Sequence, residues 1–135
     1  MSLSSKLHLM IHIVNSLRFI SQYSIVHMDL SLNNLLVCKE FFVKLIDFGE
    51  AYKMEICSKK CKIYLNSGYS PGYTIPFSPP ETFNTKKVFS PEQDIFSFGM
   101  IFFRTLFESY PFQVTKKLEE SYRDKSYEDR ILFAP

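Results

Sequence analysis

The stretch 24-SIVHMDLSLNNLLVCKEFFVKLIDFGEA-51 decides how this chain is read. Two apolar, strand-like runs, LLVC (35–38) and FFVKLI (41–46), are separated only by Lys39 and Glu40, so they read as a small hairpin. Polar clusters lie at its two ends: Asp29 and Asn34 before it, Asp47 after it. An isolated aspartate at a strand end is ordinarily a turn or cap residue. Here the hairpin folds its two ends back to one edge, so Asp29, Asn34 and Asp47 converge on one small volume. Two carboxylates and a carboxamide make an oxygen-rich site suited to hard Mg²⁺.

The rest of the chain is consistent with a packed domain. Its 135 residues predict one domain, and 46% of them are hydrophobic, with 14 Phe. That is ample core material and argues against disorder. A net charge of +2 gives no basic face for nucleic acid. Three cysteines, Cys38, Cys57 and Cys61, are too few and odd in number for a disulfide framework, and no His cluster accompanies them to make a zinc site. They read as reduced thiols. LHLMIHIV (7–14) follows Lys6 but is interrupted by two histidines, and Asn15 and Arg18 stand where small cleavage-site residues belong, so no signal peptide is assigned. DIFSFGMIFFRTLF (94–107) is broken by Arg104 and too short to span a bilayer. No membrane or nucleic-acid partner is expected.

Leu7, Met10, Ile11, Val14 and Leu17 predict a helix over 5–22 with these residues on its buried face, capped by Ser4 or Ser5. Residues 24–27 form a short strand-like run. The segment 50–80 holds Pro71, Pro76, Pro79, Pro80, Gly68 and Gly72, and a basic knot SKKCK (58–62) that reads as a solvated loop face; it is too long for a plain connector. A second helix opens at Pro91 and Glu92 with Ser90 as N-cap. Its residues 95–107 are apolar on nearly every side, which predicts burial all round. The charged run 116–130 reads as a solvated helix.

Four motifs occur in order: HMDLSLNN (27–34), DFG (47–49), GYTIPFSPPE (72–81) and DIFSFGMIFFRTLFESYPF (94–112). Together they resemble the eukaryotic protein kinase family, whose signatures include H-R-D-L-x-x-x-N, D-F-G and A-P-E. The resemblance implies a mainly α fold with a small β-hairpin, specifically an incomplete C-terminal lobe truncated at both ends. One partial kinase domain would fill 1–135, with a catalytic loop at 27–34, the DFG at 47–49, an activation segment at 47–81 and a buried helix at 91–108. It implies ATP and Mg²⁺ as cofactors and γ-phosphoryl transfer to a protein Ser/Thr hydroxyl, with Tyr as the second choice. Asp29 would accept the hydroxyl proton. Asn34 and Asp47 would hold the metal, and Leu36 would lie beneath the adenine. His27 and Phe48 would pack as supports, and Gly49 would permit the turn after Asp47. Thr74 would face the substrate. Glu81 and Asp94 would fasten the long loop and the catalytic loop to the second helix. With no signal peptide or membrane segment assigned, a cytoplasmic or nuclear location is expected.

Several positions depart from the family pattern. Met28 replaces the Arg of H-R-D, the usual partner of a phosphorylated activation loop, so phosphorylation at Ser58, Tyr64, Ser67, Tyr69, Ser70 or Thr74 is not expected to be the main switch. Ser31 replaces a Lys beside the transferred phosphate, and Pro79 replaces the Ala of A-P-E. No Gly-rich loop or strand lysine precedes Asp29, and Arg104 and Arg123 are the candidate partners for Glu81. The 135-residue chain alone is therefore expected to be inactive and marginally stable. Two other readings compete: a pseudokinase or kinase-like scaffold without catalysis, and an unrelated small α/β domain with coincidental motifs.

Overall fold

A computed structural model of the chain describes residues 1–39, 42–54, 63–64, 72, 74–83 and 88–112. The basic knot 58–62, Cys57, Cys61, Ser67, Tyr69, Ser70, Arg123 and the charged run 116–130 lie outside these residues. The described elements run α1 (Leu3–Gln22), β1 (Ile25–Val26), β2 (Leu35–Val37), β3 (Val43–Leu45), β4 (Tyr52–Lys53), β5 (Ile63–Tyr64), β6 (Val88–Phe89) and α2 (Glu92–Phe107), with single 3₁₀ turns at Leu32–Asn34 and Pro80–Phe83. The fold is mainly helical with small antiparallel pairs, as expected.

α1 starts two residues earlier than the sequence suggested. Ser2, not Ser4 or Ser5, is the N-cap: its backbone is extended and its Oγ accepts the Ser5 N–H at 3.1 Å. The buried face also differs. Leu9, Met10, Ile13, Leu17 and Ile20 point inward, whereas Leu7, Ile11 and Val14 are exposed. Both stripes have helical spacing, because α1 is apolar on two faces. The choice is made by packing: the inward stripe joins Leu30, Val43, Phe77, Met100 and Ile101 in one core. Burying each such side chain contributes about 1.5–3 kcal/mol.

Strand pairing sets the register of the site. In the hairpin, Leu35 faces Leu45, Leu36 faces Lys44 and Val37 faces Val43. The pairing continues on one side through the Cys38 N–H to the Phe42 carbonyl at 2.7 Å, and on the other through the Ile46 N–H to the Asn34 carbonyl at 3.0 Å. β1 pairs antiparallel with β4, and β5 with β6.

α2 is not buried on all sides. Its inward face is Gln93, Asp94, Ser97, Met100 and Ile101, while Ile95 and Phe107 are exposed. On the inside, Gln93 Nε2 donates to Thr82 Oγ1 at 3.3 Å and Ser97 Oγ donates to the Gln93 carbonyl at 3.0 Å, while Gln93 Oε1 is buried without a described partner. Pro91 takes the cap position with helical dihedrals, and Ser90 contributes its carbonyl, which accepts the Gln93 N–H. At the other end Glu108 closes the helix in the left-handed region (φ 56°), and Lys6 of α1 reaches both the Leu106 carbonyl (3.4 Å) and the Glu108 carboxylate (3.2 Å). A cation at a helix C-terminus complements its dipole. This contact ties the first turn of α1 to the last turn of α2. No described helix is long and apolar enough to cross a membrane.

Candidate active site

The segment that carries Asp29 and Asn34 begins where β1 ends. His27 and Met28 turn the chain, and Asp94, in the first turn of α2, accepts both of their backbone N–H groups: His27 N to Oδ2 at 2.7 Å and Met28 N to Oδ1 at 3.0 Å. Met28 sits at φ 73°, a region unusual for a side chain of its size. The bidentate acceptor is what holds it there. Burial pushes the Asp94 carboxyl above its ordinary range, and the two N–H donors pull part of that back. The helix N-terminus is also a favourable place for an acid.

The His27 ring is fully buried. Its Nε2 lies 3.1 Å from the Ile46 carbonyl, which assigns the proton to Nε2, and its Nδ1 has no described partner. The ring stacks at a tilt on Phe48, with centroids 4.8 Å apart. His27 therefore bridges the end of β1 to the residues on either side of Asp47.

Asn34 ties Asp29 down. Its Nδ2 donates to the Asp29 carbonyl at 2.7 Å and to Asp29 Oδ2 at 2.9 Å. Both neighbours are acceptors, so the amide must turn its NH₂ toward them. Its Oδ1 then faces away and takes no hydrogen bond among the described residues. The other Asp29 oxygen, Oδ1, accepts from Thr74 Oγ1 at 2.7 Å. Thr74 is itself a loop anchor: its carbonyl accepts the N–H groups of Phe77 and Ser78.

Asp47 follows β3 and lies beside Asn34 because Ile46 is paired to Asn34. It is exposed and takes φ 59°, where Asp is among the better-tolerated residues. Its Oδ1 accepts the Gly49 N–H at 3.2 Å, which leaves Oδ2 for a ligand. The role expected of Gly49 needs correction: the left-handed residue is Asp47, not Gly49. A Cβ at 49 would lie 3.1 Å from Asp47 Oδ1, so a larger residue there would displace that carboxylate by a few tenths of an ångström.

Leu36 stands half exposed on the hairpin. Glu81 is exposed in its 3₁₀ turn and has no described ion-pair partner; Arg104 lies instead over the Tyr110 ring at 5.3 Å. Ser31 is fully buried with its Oγ unpartnered, so it presents no polar group to the surface beside Asp29. The Thr74–Asp29 bond, spanning 45 residues, was missed by sequence reading. So was the inward polar face of α2, for which Gln93, Asp94 and Ser97 at helical spacing were the available signal.

These residues fit a hard divalent cation in part. Among the described residues no three His, Cys, Asp or Glu side chains converge. What the chain offers is one carboxamide oxygen and one carboxylate oxygen on adjacent backbone. That suits Mg²⁺, which keeps several waters and takes further ligands from phosphates.

A mainly helical unit with a two-stranded hairpin that brings Asp29, Asn34 and Asp47 together defines the class. The protein kinase domain family matches residues 2–132, and the chain belongs to that family. It is 30% identical over 100 residues to the protein kinase kin1 of Schizosaccharomyces pombe, across 73% of this chain and 10% of kin1. It is 30% identical over 115 residues to the serine/threonine-protein kinase-transforming protein mos of Moloney murine sarcoma virus, across 83% of this chain and 30% of mos. In fold it is similar to a chain of the yeast RNA Pol II CTD kinase CTDK-1 complex, with a TM-score of 0.70 at 24% identity, covering 88% of this chain and 36% of that one. The chain thus spans less than a third of either curated relative.

Proposed function

We propose that the protein carrying this chain transfers the γ-phosphoryl group of ATP to a protein Ser or Thr hydroxyl. The observation that carries this reading is the Asn34 amide, which holds Asp29 by two hydrogen bonds on backbone paired to Ile46, the neighbour of Asp47. Membership of the kinase family supports it. Asp29 is the group that orients the hydroxyl and takes its proton, typically worth ~10²–10⁴ in rate. Asn34 Oδ1 and Asp47 Oδ2 are the atoms that would hold Mg²⁺, which supplies neutralisation of phosphate charge when bound. Leu36 offers an apolar contact for the adenine. His27, Phe48 and Asp94 keep the loop in shape.

The Ser/Thr preference rests on Thr74, whose hydroxyl already sits on Asp29, and on the Ser/Thr kinase among the relatives. We place the chain in the C-terminal lobe, with the catalytic loop at 27–34, the activation segment at 47–81 and the supporting helix at 91–108. The isolated chain leaves Leu36 and Phe48 open to solvent around the site. Water is poorly excluded there, so low turnover is expected of this chain by itself. A protein substrate and ATP are its partners in this reading, in the cytoplasm or nucleus.

A second reading, a kinase-like scaffold without catalysis, is favoured by one observation. Met28 and the buried Ser31 leave two positions without the cations expected there. Binding of Mg-ATP separates the readings. At a hundredfold excess over its dissociation constant, Mg-ATP stabilises by about 2.7 kcal/mol and raises Tm. Asp47→Asn, which tolerates the same φ, should abolish that rise. A wild-type chain indifferent to Mg-ATP would leave the scaffold reading.

A further inference from the structure

His8 and His12 lie one turn apart on the outer side of α1. Their Nε2 atoms approach to 3.1 Å, with ring centroids 4.7 Å apart and planes at 71°. His8 is exposed and His12 half-buried, and the His12 ring is braced on its far side by Phe42 of the β2–β3 turn at 4.8 Å. None of the catalytic-loop contacts involves either ring. The two ring nitrogens approach one another with solvent beside them.

We propose that His8 and His12 form a binding site for a divalent transition metal of the zinc, nickel or copper class. With metal–nitrogen bonds of about 2.05 Å, a 3.1 Å separation subtends about 98° at the metal, between the square-planar and tetrahedral angles. The pair is therefore spaced for bidentate coordination without moving the backbone. Imidazole nitrogen selects such borderline cations over Mg²⁺ or Ca²⁺. As the rings stand, one proton shared between the two nitrogens satisfies both. Coordination at both Nε2 atoms displaces that proton, which moves to the free Nδ1 of its own ring, so both ligands bind as neutral imidazoles. No third His, Cys, Asp or Glu side chain joins the pair among the described residues, so water completes the coordination sphere. The bound metal would link two successive turns of α1 and stiffen the helix next to the β2–β3 turn.

The test is a Zn²⁺ titration of the full 135-residue chain with ¹⁵N-labelled histidine. The chain has only three histidines, and the fully buried His27 serves as an internal control. The expected result is that His8 and His12 Nε2 resonances shift together and saturate at one equivalent while His27 stays put. His8→Gln should weaken zinc binding at His12 by about tenfold or more, because the second ligand acts at high effective concentration. His8 is exposed, so this variant folds; the unchanged His27 resonances check that. Independent shifts, an unaltered affinity in His8→Gln, or no shift of either ring at tenfold molar excess of zinc would overturn the proposal. Cysteine-bound zinc is present equally in wild type and variant and cancels in the comparison.

Discussion

Asp94 holds the backbone N–H groups of His27 and Met28 with its two carboxylate oxygens, at 2.7 and 3.0 Å, across 67 and 66 residues of chain. One buried side chain in α2 thereby fixes the turn that delivers Asp29. The left-handed Met28 depends on it, since nothing in the intrinsic preference of Met favours φ 73°.

Replacing Asp94 by Ala should leave two inward N–H groups without acceptors and cost about 2–5 kcal/mol, read as a lower urea midpoint. Asp94→Asn keeps one acceptor and should fall between. Equal stability of all three would show that the turn is held by something else.

The Asp94 carboxyl also predicts a pH dependence. Its pKa is raised in the folded chain, so the folded state binds this proton more tightly than the unfolded state does. Stability from this group is therefore greatest in acid. It is lost as pH rises from the unfolded value of 3.8 through the higher folded value. Wild type should gain stability relative to Asp94→Asn on acidification across that window. A difference that moves the other way would mean that the two N–H bonds outweigh burial.

Substitutions in α1 test which of its two apolar stripes faces the core. Ile13 is 1% exposed and Ile11 is 58% exposed. Ile13→Ala should cost about 2–5 kcal/mol as a core truncation, and Ile11→Ala within about 1 kcal/mol. Chemical denaturation of the two variants decides the face.

The contrast between those two residues also marks what periodicity could and could not supply. The existence of both helices was legible from their apolar spacing, and the hairpin from two strand-like runs around Lys39 and Glu40. The Asn34–Asp29 pairing was within reach because five residues separate them. Which face of α1 is inward was not, since α1 carries two apolar stripes of equal helical spacing. In α2 the reason is different: Gln93, Asp94 and Ser97 point inward because a backbone turn and a neighbouring Thr82 need partners, while Ile95 faces out. Local patterning rewards the opposite arrangement. Thr74 reached Asp29 through a long loop whose path no spacing rule encodes.

Thr74 carries its own prediction. Thr74→Val removes the donor to Asp29 Oδ1 and keeps the shape, whereas Thr74→Ser keeps the donor. In the full-length protein, phosphoryl transfer should drop about tenfold or more in the Val variant and little in Ser, because the base loses its orientation. Steady-state rates for the pair measure this; parallel loss in both would assign Thr74 a packing role only.

The central claim is that Asp29 serves phosphoryl transfer. It is tested most directly by radiolabelled γ-phosphoryl transfer from Mg-ATP to Ser/Thr peptides, comparing the full-length protein with its Asp29→Asn variant. Transfer by wild type and a loss of ~10²–10⁴ in the variant are expected. Transfer that is absent from wild type, or equal in the two proteins, would contradict it.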